Sequence, residues 1–261
     1  MSNYRNKEEK NDLSDSSKLR GRGIYLLPNL FTTAALFSGF YAVLASMDGQ
    51  FEKASLAIFL AMVLDGLDGR VARITNTQTS FGAQYDSLSD MVAFGLAPAL
   101  VIYQWTLSNL GKIGWMAAFI FIAGAALRLA RFNSQVDTSD RRFFTGLPSP
   151  SAAAVLAGGI WVAVDNSLSP DNWAWFAAGL TVICGLLMVS NFLYHSFKRI
   201  DFKGKVPFFI IVFVMLFFAL VLSEPPIVLF LIFFGYTLAG PILSAQRFVR
   251  RRIKKRKREL L

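Results

Sequence analysis

Long apolar runs separated by short polar connections dominate the sequence. A helix needs about 20 predominantly apolar residues to cross the hydrocarbon core of a bilayer. Eight runs reach or approach that length, and they cover residues 27–47, 51–69, 86–107, 112–130, 148–165, 172–194, 206–223 and 225–245. The pattern therefore predicts an all-α polytopic membrane protein with eight spans. The connections after residues 47, 107 and 223 are so short that they predict antiparallel neighbours, and Pro225 and Pro226 mark the last of these turns.

Composition supports the membrane class and excludes several kinds of site. Hydrophobic residues make up 54% of the 261 residues and charged residues 17%, whereas soluble proteins contain roughly 45–50% and about 25%. A single cysteine, Cys184, excludes a disulfide within the chain and a cysteine-rich metal site. A single histidine, His195, excludes a paired-histidine metal site, and its place at the end of an apolar run predicts an interfacial position.

The basic residues are distributed unevenly between the two predicted sides of the membrane. If the N-terminus is cytoplasmic, 25 of the 27 lysines and arginines fall in cytoplasmic segments, and Lys53 and Lys112 fall outside. This bias predicts that the tail of residues 1–23 and the basic tail of residues 246–261 are both cytoplasmic. The basic tail directly follows a span, which favours attraction to anionic lipid over binding of nucleic acid.

Four aspartates lie within or at the ends of predicted spans, where each unpaired charge costs on the order of 3 kcal/mol. Asp65 and Asp68 stand near the end of span two, and Asp86 and Asp90 near the start of span three. The i,i+3 and i,i+4 spacings put each pair on one helix face, so antiparallel packing would bring all four carboxylates together near the cytoplasmic surface. An all-oxygen acidic cluster selects a hard cation such as Mg²⁺ or Mn²⁺, and two such ions can clamp a phosphoryl group.

The residues alone leave two alternative roles for the aspartates open. The acids could form a proton-relay or cation-transport pathway, or they could pair with Arg70 and Arg73. The small residues Gly66, Gly69 and Ala72 favour a bulky ligand instead, because they leave room for it to approach the backbone. A guanidinium at Arg73 could then pair with phosphate oxygens.

The spacing of this region resembles the signature of the CDP-alcohol phosphatidyltransferases. The run reads Asp65-xx-Asp68-Gly69-xx-Ala72-Arg73-x8-Gly82-xxx-Asp86-xxx-Asp90 and fits that signature without a departure. The resemblance implies a six-helix membrane core over residues 24–195, two additional helices within residues 196–245, and a homodimer. It also implies that the four aspartates bind two divalent cations, and that Asp90 is the base that deprotonates the acceptor hydroxyl. Contacts to the CDP-linked lipid are implied for Gly69, Ala72, Arg73, Thr79, Gly82, Pro28, Asn29, Leu30 and Phe31.

Three further stretches, 86–99, 127–133 and 144–154, resemble the membrane-embedded phosphatidylserine synthase branch of that family. This resemblance implies transfer of a phosphatidyl group from CDP-diacylglycerol to the hydroxyl of serine, with release of CMP, at the plasma membrane. Glycerol 3-phosphate, inositol and choline stay open as alternative acceptors.

The acceptor-side stretches contain their own candidate residues. Arg128, Arg131 and Asn133 are candidates for binding the serine carboxylate or the donor phosphates, whereas the alternative for the two arginines is an ordinary role as cytoplasmic anchors. Gly146 with the two prolines of the "GLPSP" run predicts a shaped start of span five, with a pocket wall as the alternative.

Overall fold

The structure, a computed structural model, describes residues 27–75, 77–134, 143–195 and 208–259. Within these ranges the chain forms α1 (Leu27–Met47), α2 (Phe51–Ile74), α3 (Ser80–Asp90), α4 (Ala97–Trp105), α5 (Lys112–Ser134), α6 (Ser149–Asp165), α7 (Pro170–Val189), α8 (Phe208–Ser223) and α9 (Pro225–Glu259). A π-helical turn, Met91–Leu96, joins α3 to α4, and a 3₁₀ turn, Leu107–Leu110, precedes α5. Two short antiparallel strands, β1 (Phe143–Thr145) and β2 (Leu193–His195), pair with each other.

The helices confirm the predicted all-α polytopic membrane fold. Among the described residues, five helical segments are long and apolar enough to cross a membrane: Leu27–Met47, Ser80–Trp105, Lys112–Ser134, Pro170–Val189 and Pro225–Ser244. Large apolar side chains such as Phe37 and Trp175 are 64% and 66% exposed, and surfaces of that kind need lipid to cover them. The α6 helix is apolar but shorter, and α2 carries charged residues at both ends, so the count of eight spans stays a prediction. The predicted N-terminal tail and residues 196–207 lie outside the described residues.

Small residues bring the core helices close together, as they commonly do in membrane bundles. A Cβ on Gly124 of α5 would overlap the carbonyl oxygen of Gly185 on α7. A Cβ on Gly39 of α1 would lie 2.7 Å from the Cα of Ala93, so α1 packs tightly on the π-helical turn. On α6, a Cβ at Gly158 would lie 3.2 Å from a backbone carbon of α9, and this third close approach ties α9 to the rest of the bundle.

The third predicted span starts earlier and is less regular than expected. Helix α3 begins at Ser80 because the Thr79 hydroxyl accepts a hydrogen bond from the backbone N–H of Gly82 at 2.9 Å and caps the helix. Asp86 and Asp90 therefore lie on the helix instead of at its start. The π-helical turn follows Asp90 directly, and such turns occur frequently at functional sites.

The sixth predicted span is shorter than expected. Helix α7 ends at Val189 instead of continuing to residue 194, and β2 follows. Gly146, with φ of +83°, turns the chain so that its N–H donates to the carbonyl of Phe192 at 2.8 Å. Because a short apolar run fits a helix end and a strand equally well, the sequence pattern could not separate the two.

Candidate active site

The candidate site lies where α2 and α3 meet, on either side of the connection between them. Three carboxylates form a cluster in which one oxygen of each lies within 4.8 Å of one oxygen of each of the others. They belong to Asp65 and Asp68, near the end of α2, and to Asp86 on α3. Asp68 is buried, and Asp65 and Asp86 are half-buried. The structure therefore brings together three of the four predicted carboxylates, as the i,i+3 and i,i+4 spacings indicated.

The fourth acid, Asp90, adjoins this cluster on its α5 side. Its carboxyl group is hydrogen-bonded to that of Asp65 and interacts electrostatically with Asp86. The guanidinium of Arg128, on α5, interacts in turn with Asp90 and Asp65. The four aspartates and Arg128 thus form one connected group of charges, drawn from three helices.

The donor set fits a divalent cation. Carboxylates this close repel one another strongly where water is scarce. Asp86 Oδ1 is buried and has no hydrogen-bond partner among the described residues, and an unsatisfied buried acceptor is costly. A divalent cation would relieve both penalties, and carboxylate oxygens are ligands that Mg²⁺ and Mn²⁺ prefer. Asp65, Asp68 and Asp86 are the residues that could hold it.

Thr32 on α1 connects three helices at this cluster. Its Oγ1 lies 2.7 Å from Asp68 Oδ2 and 3.1 Å from the carbonyl oxygen of Pro28. Since the hydroxyl has one proton, it donates to one acceptor at a time, and the shorter, charged contact to Asp68 is the stronger. The carbonyl of Thr32 accepts a hydrogen bond from Ser89 on α3 at 3.0 Å. Thr32 therefore orients Asp68 and fixes α1 against α2 and α3.

Replacing Thr32 with valine is expected to weaken Mn²⁺ binding by about tenfold, the lower end of the usual effect of losing a hydrogen bond to a metal ligand. Electron paramagnetic resonance of free Mn²⁺ gives the dissociation constant. Thr181→Val is the matched control, because that buried hydroxyl donates to the carbonyl of Ala177 on its own helix. An unchanged affinity in Thr32→Val would exclude a role for this hydrogen bond in the cation site.

The residues predicted to contact the CDP-linked lipid lie at the starts of α1 and α3 and near the end of α2, the helix that carries Asp65 and Asp68. A Cβ on Gly82 would lie 3.6 Å from Asn29 Oδ1 and 3.1 Å from the Thr79 hydroxyl, so the starts of α1 and α3 adjoin. A Cβ on Gly69 would find Arg73 Nη2 as its nearest neighbour at 3.9 Å, which leaves open space beside the acids. Nε of the exposed Arg73 donates to the Gly69 carbonyl at 2.7 Å. Of the others, Pro28 is buried, Phe31 and Ala72 are half-buried, and Leu30 is exposed.

The three candidate residues for acceptor binding have different hydrogen-bond partners in the structure. Arg128 Nη1 donates to the hydroxyl of the buried Ser149 at 2.8 Å, and Arg128 Nε is buried with no hydrogen-bond partner in the described ranges. Arg131 Nη2 donates to the carbonyl of Val189 at 2.9 Å, so it caps the end of α7. Asn133 is exposed and exchanges hydrogen bonds with Ser87 on α3. Of the three, Arg128 alone interacts with the acids in the described contacts.

Sequence reasoning missed the residues that orient the charged groups. Thr32 lies in the "LPNLFTT" stretch, where Pro28 to Phe31 drew attention, and Ser149 lies inside "GLPSP", where Gly146 and the two prolines did. A hydroxyl in an apolar span is a weak signal by itself, because its own helix can satisfy it. Its partner emerges only once the helices are packed.

Fold and site together define a polytopic helical membrane protein with a cluster of carboxylates that could bind a cation and a half-buried arginine beside it. The chain matches the CDP-alcohol phosphatidyltransferase family over residues 25–187, which is more than half of its length. The protein belongs to the CDP-alcohol phosphatidyltransferase family, as the aspartate spacing predicted.

Several named proteins are similar to this chain over about two thirds or more of its length. A CDP-diacylglycerol–serine O-phosphatidyltransferase of Helicobacter pylori is 40% identical over 197 residues, which cover 75% of this chain and 82% of the relative. A Mycobacterium bovis protein with the same name is 35% identical over 66% of this chain and 62% of its own. The archaetidylserine synthase of Methanothermobacter thermautotrophicus is 34% identical over 68% of this chain and 72% of its own.

Proposed function

We propose that this protein is a phosphatidylserine synthase, which transfers the phosphatidyl group of CDP-diacylglycerol to the hydroxyl of L-serine and releases CMP. One observation carries the choice of acceptor: Arg128 is half-buried and borders Asp90, and its buried Nε has no hydrogen-bond partner among the described residues. A guanidinium at that position suits an acceptor that carries a carboxylate beside its hydroxyl. The names of the similar proteins, which include two serine transferases and an archaetidylserine synthase, support the same choice.

In the proposed reaction Asp90 takes the proton of the serine hydroxyl. The serine oxygen then forms a bond to the lipid-side phosphorus, and the bond from that phosphorus to the oxygen of CMP breaks. Arg128 and Ser149 hold the serine carboxylate, so that its hydroxyl faces Asp90. Two divalent cations, held by Asp65, Asp68, Asp86 and Asp90, would neutralise charge on the transferring phosphate and the departing CMP.

The donor lies on the other side of the acids in this proposal. The cytidine diphosphate occupies the open space beside Gly69 and the junction of Asn29, Thr79 and Gly82, where backbone and small side chains allow close approach. The exposed guanidinium of Arg73 pairs with its phosphates.

The placement in the membrane and the assembly are parts of the same proposal. Both termini and the acidic site lie on the cytoplasmic side of the plasma membrane, where 25 of the 27 basic residues fall. The transferase core occupies residues 24–195, residues 196–245 add two helices, and the enzyme is a homodimer. The basic segment 246–261 lies against anionic lipid.

CMP release tests the proposal directly. Purified protein is incubated with CDP-diacylglycerol and Mn²⁺ or Mg²⁺, and serine, glycerol 3-phosphate, inositol and choline are offered in separate reactions. We expect release with serine, at least about tenfold above each other alcohol, because only serine offers a carboxylate to Arg128. Release with another alcohol would overturn serine as the acceptor and leave the aspartate site in place. No release from folded, metal-loaded protein would overturn the transferase, and cation flux in proteoliposomes would then favour a transporter.

A further inference from the structure

An apolar cavity of about 220 Å³ lies at the end of the bundle away from the aspartates. Along α6 its wall extends from Leu156 to Ala163, which is roughly 10–20 Å of helix beyond Ser149, the partner of Arg128. The other walls are the end of α4, the start of α7 and Phe230 on α9. The cavity is therefore separate from the candidate active site, and its lining includes none of the residues proposed to contact the donor or the acceptor.

The lining of this cavity suits a ligand without polar groups. In the described part of the chain it consists of aliphatic and aromatic side chains and one glycine, and its only polar side-chain groups are the indole N–H groups of Trp105 and Trp173. Apolar cavities of comparable size stay dry and accept apolar molecules. A polar group buried there without a partner would be costly. The lining therefore selects hydrocarbon over water.

The cavity opens to the surface of the bundle beside two aromatic rings of α7. Trp173 and Phe176 are 41% and 55% exposed, and their rings meet nearly at right angles with 5.6 Å between centroids. Trp105 is the last residue of α4 and Trp173 the fourth of α7, so both stand where an apolar span ends. Tryptophan is enriched at that level of a membrane, between hydrocarbon and headgroups. The opening therefore lies at the membrane interface, and the cavity extends from it toward the bilayer interior.

The size of the cavity decides between the apolar groups that a membrane offers. A helix with its side chains is about 10–12 Å across, so it does not fit into this space. A lipid alkyl chain is narrow and flexible enough to enter. Gly159 leaves room for it, since a Cβ there would lie 3.4 Å from the ring of Phe230. Because Phe230 lies beyond the matched residues 25–187, one wall of the cavity comes from outside the family region.

We propose that this cavity binds one acyl chain of a membrane phospholipid whose headgroup lies at the end of the bundle opposite the aspartates. The chain enters beside Trp173 and packs between α4, α6, α7 and α9, so it holds the last helix against the core. This lipid is distinct from the donor, whose headgroup is proposed to lie beside the acids. The site goes beyond the proposed function and stands whichever alcohol is the acceptor.

Quenching of tryptophan fluorescence by brominated phosphatidylcholine tests this site. Two single-tryptophan proteins are placed in such bilayers, one with Trp105 and one with Trp161, and phenylalanine replaces the other four tryptophans. Both residues are 8% exposed, but Trp105 lines the cavity, whereas Trp161 packs on the ring of Phe59. Because bromine quenches at short range and an inserted chain lies within about 4 Å of Trp105, we expect its quenching to be at least about twofold stronger than that of Trp161.

Filling the cavity should exclude the chain. Ala177→Leu adds a larger side chain to the lining, whereas Ala178→Leu changes a buried neighbour on α7 that does not line the cavity. In the Trp105 protein, Ala177→Leu should reduce quenching to the level seen for Trp161. In detergent without lipid, Ala177→Leu is expected to raise the melting temperature by about 2–4 °C, because it fills an empty space. Ala178→Leu should lower the melting temperature, because it overpacks the interior.

Equal quenching of Trp105 and Trp161 would overturn the inference, since the cavity would then be empty or filled by a side chain of a second copy. Brominated CDP-diacylglycerol, added as a minor component to unbrominated bilayers, distinguishes the donor from other lipids. If it quenched Trp105 and brominated phosphatidylcholine did not, the cavity would bind the chain of the donor and the proposed lipid site would be wrong. CMP release is not needed for any of these readouts, so failure of the proposed function would leave them unaffected.

Melting temperatures of proteins with all their tryptophans keep the inference testable if the single-tryptophan proteins do not fold. Phosphatidylcholine added to delipidated protein should raise the melting temperature of the wild type and of Ala178→Leu, but much less that of Ala177→Leu, in which the space is already filled. An equal rise in the wild type and in Ala177→Leu would contradict the site. Circular dichroism shows whether each variant is folded.

Discussion

Asp90→Asn is expected to lower kcat for CMP release by roughly 10²–10⁴-fold, the usual loss when a general base is removed. The amide keeps the size of the carboxyl group and can still hydrogen-bond to Asp65, but it cannot take the proton of the acceptor hydroxyl. Because one charge leaves a crowded acidic cluster, the fold should not suffer. The melting temperature should therefore be equal to or above that of the wild type, while turnover collapses.

A control variant and the Mn²⁺ dependence of turnover show whether the loss comes from a missing base or from a missing cation ligand. Asp171→Asn changes an exposed aspartate at the start of α7, whose partner is Asn109, and should leave kcat unchanged. Turnover of Asp90→Asn is measured over a range of Mn²⁺ up to saturation. If high Mn²⁺ restores turnover, Asp90 acts only as a cation ligand and the base role is wrong. If the loss persists at saturating Mn²⁺ and substrates, the proton-transfer role stands.

The helices and the acid cluster were predictable from sequence for a clear physical reason. A helix that crosses the bilayer needs a long apolar run, which is visible in the sequence. Charges are costly at membrane depth, so Asp65, Asp68, Asp86 and Asp90 stand out within such runs. The regular spacing of each pair then fixed the face on which it lies, and the structure brings Asp65, Asp68 and Asp86 together accordingly. Local periodicity was sufficient there because each pair lies on one helix.

The acceptor side was much less predictable, because it depends on contacts between distant parts of the chain. Arg128 and Arg131 stand three residues apart with the same side chain, yet one interacts with the acids and the other caps α7. No property of the run "LRLARFN" distinguishes them. The π-helical turn after Asp90 and the β1–β2 ladder were likewise missed, since both arise from packing and not from residue preference.

Arg128→Gln tests whether this arginine recognises the acceptor. Loss of one partner of a buried charge pair costs about 2–5 kcal/mol, and the half-buried Arg128 should lie in the lower part of that range. We therefore expect kcat/KM for serine to fall by about 100-fold. Ethanolamine has the amine and the hydroxyl of serine without the carboxylate, and its low kcat/KM should be unchanged by the substitution. The ratio of the two kcat/KM values, measured by CMP release, should therefore approach one. Melting temperatures of both proteins show whether the variant is folded.

Arg131→Gln provides the matched control, because it removes the same charge from the same helix. It takes away a cap of α7, so it should lower the melting temperature and leave the serine-to-ethanolamine ratio as in the wild type. One result for Arg128→Gln would give this arginine a role in binding the donor instead of the acceptor. If the variant lost activity equally with both alcohols and its KM for CDP-diacylglycerol rose, Arg128 would bind the donor phosphates. The basis for choosing serine would then have to lie elsewhere in the site, since no other arginine in the described ranges interacts with Asp90 in the same way.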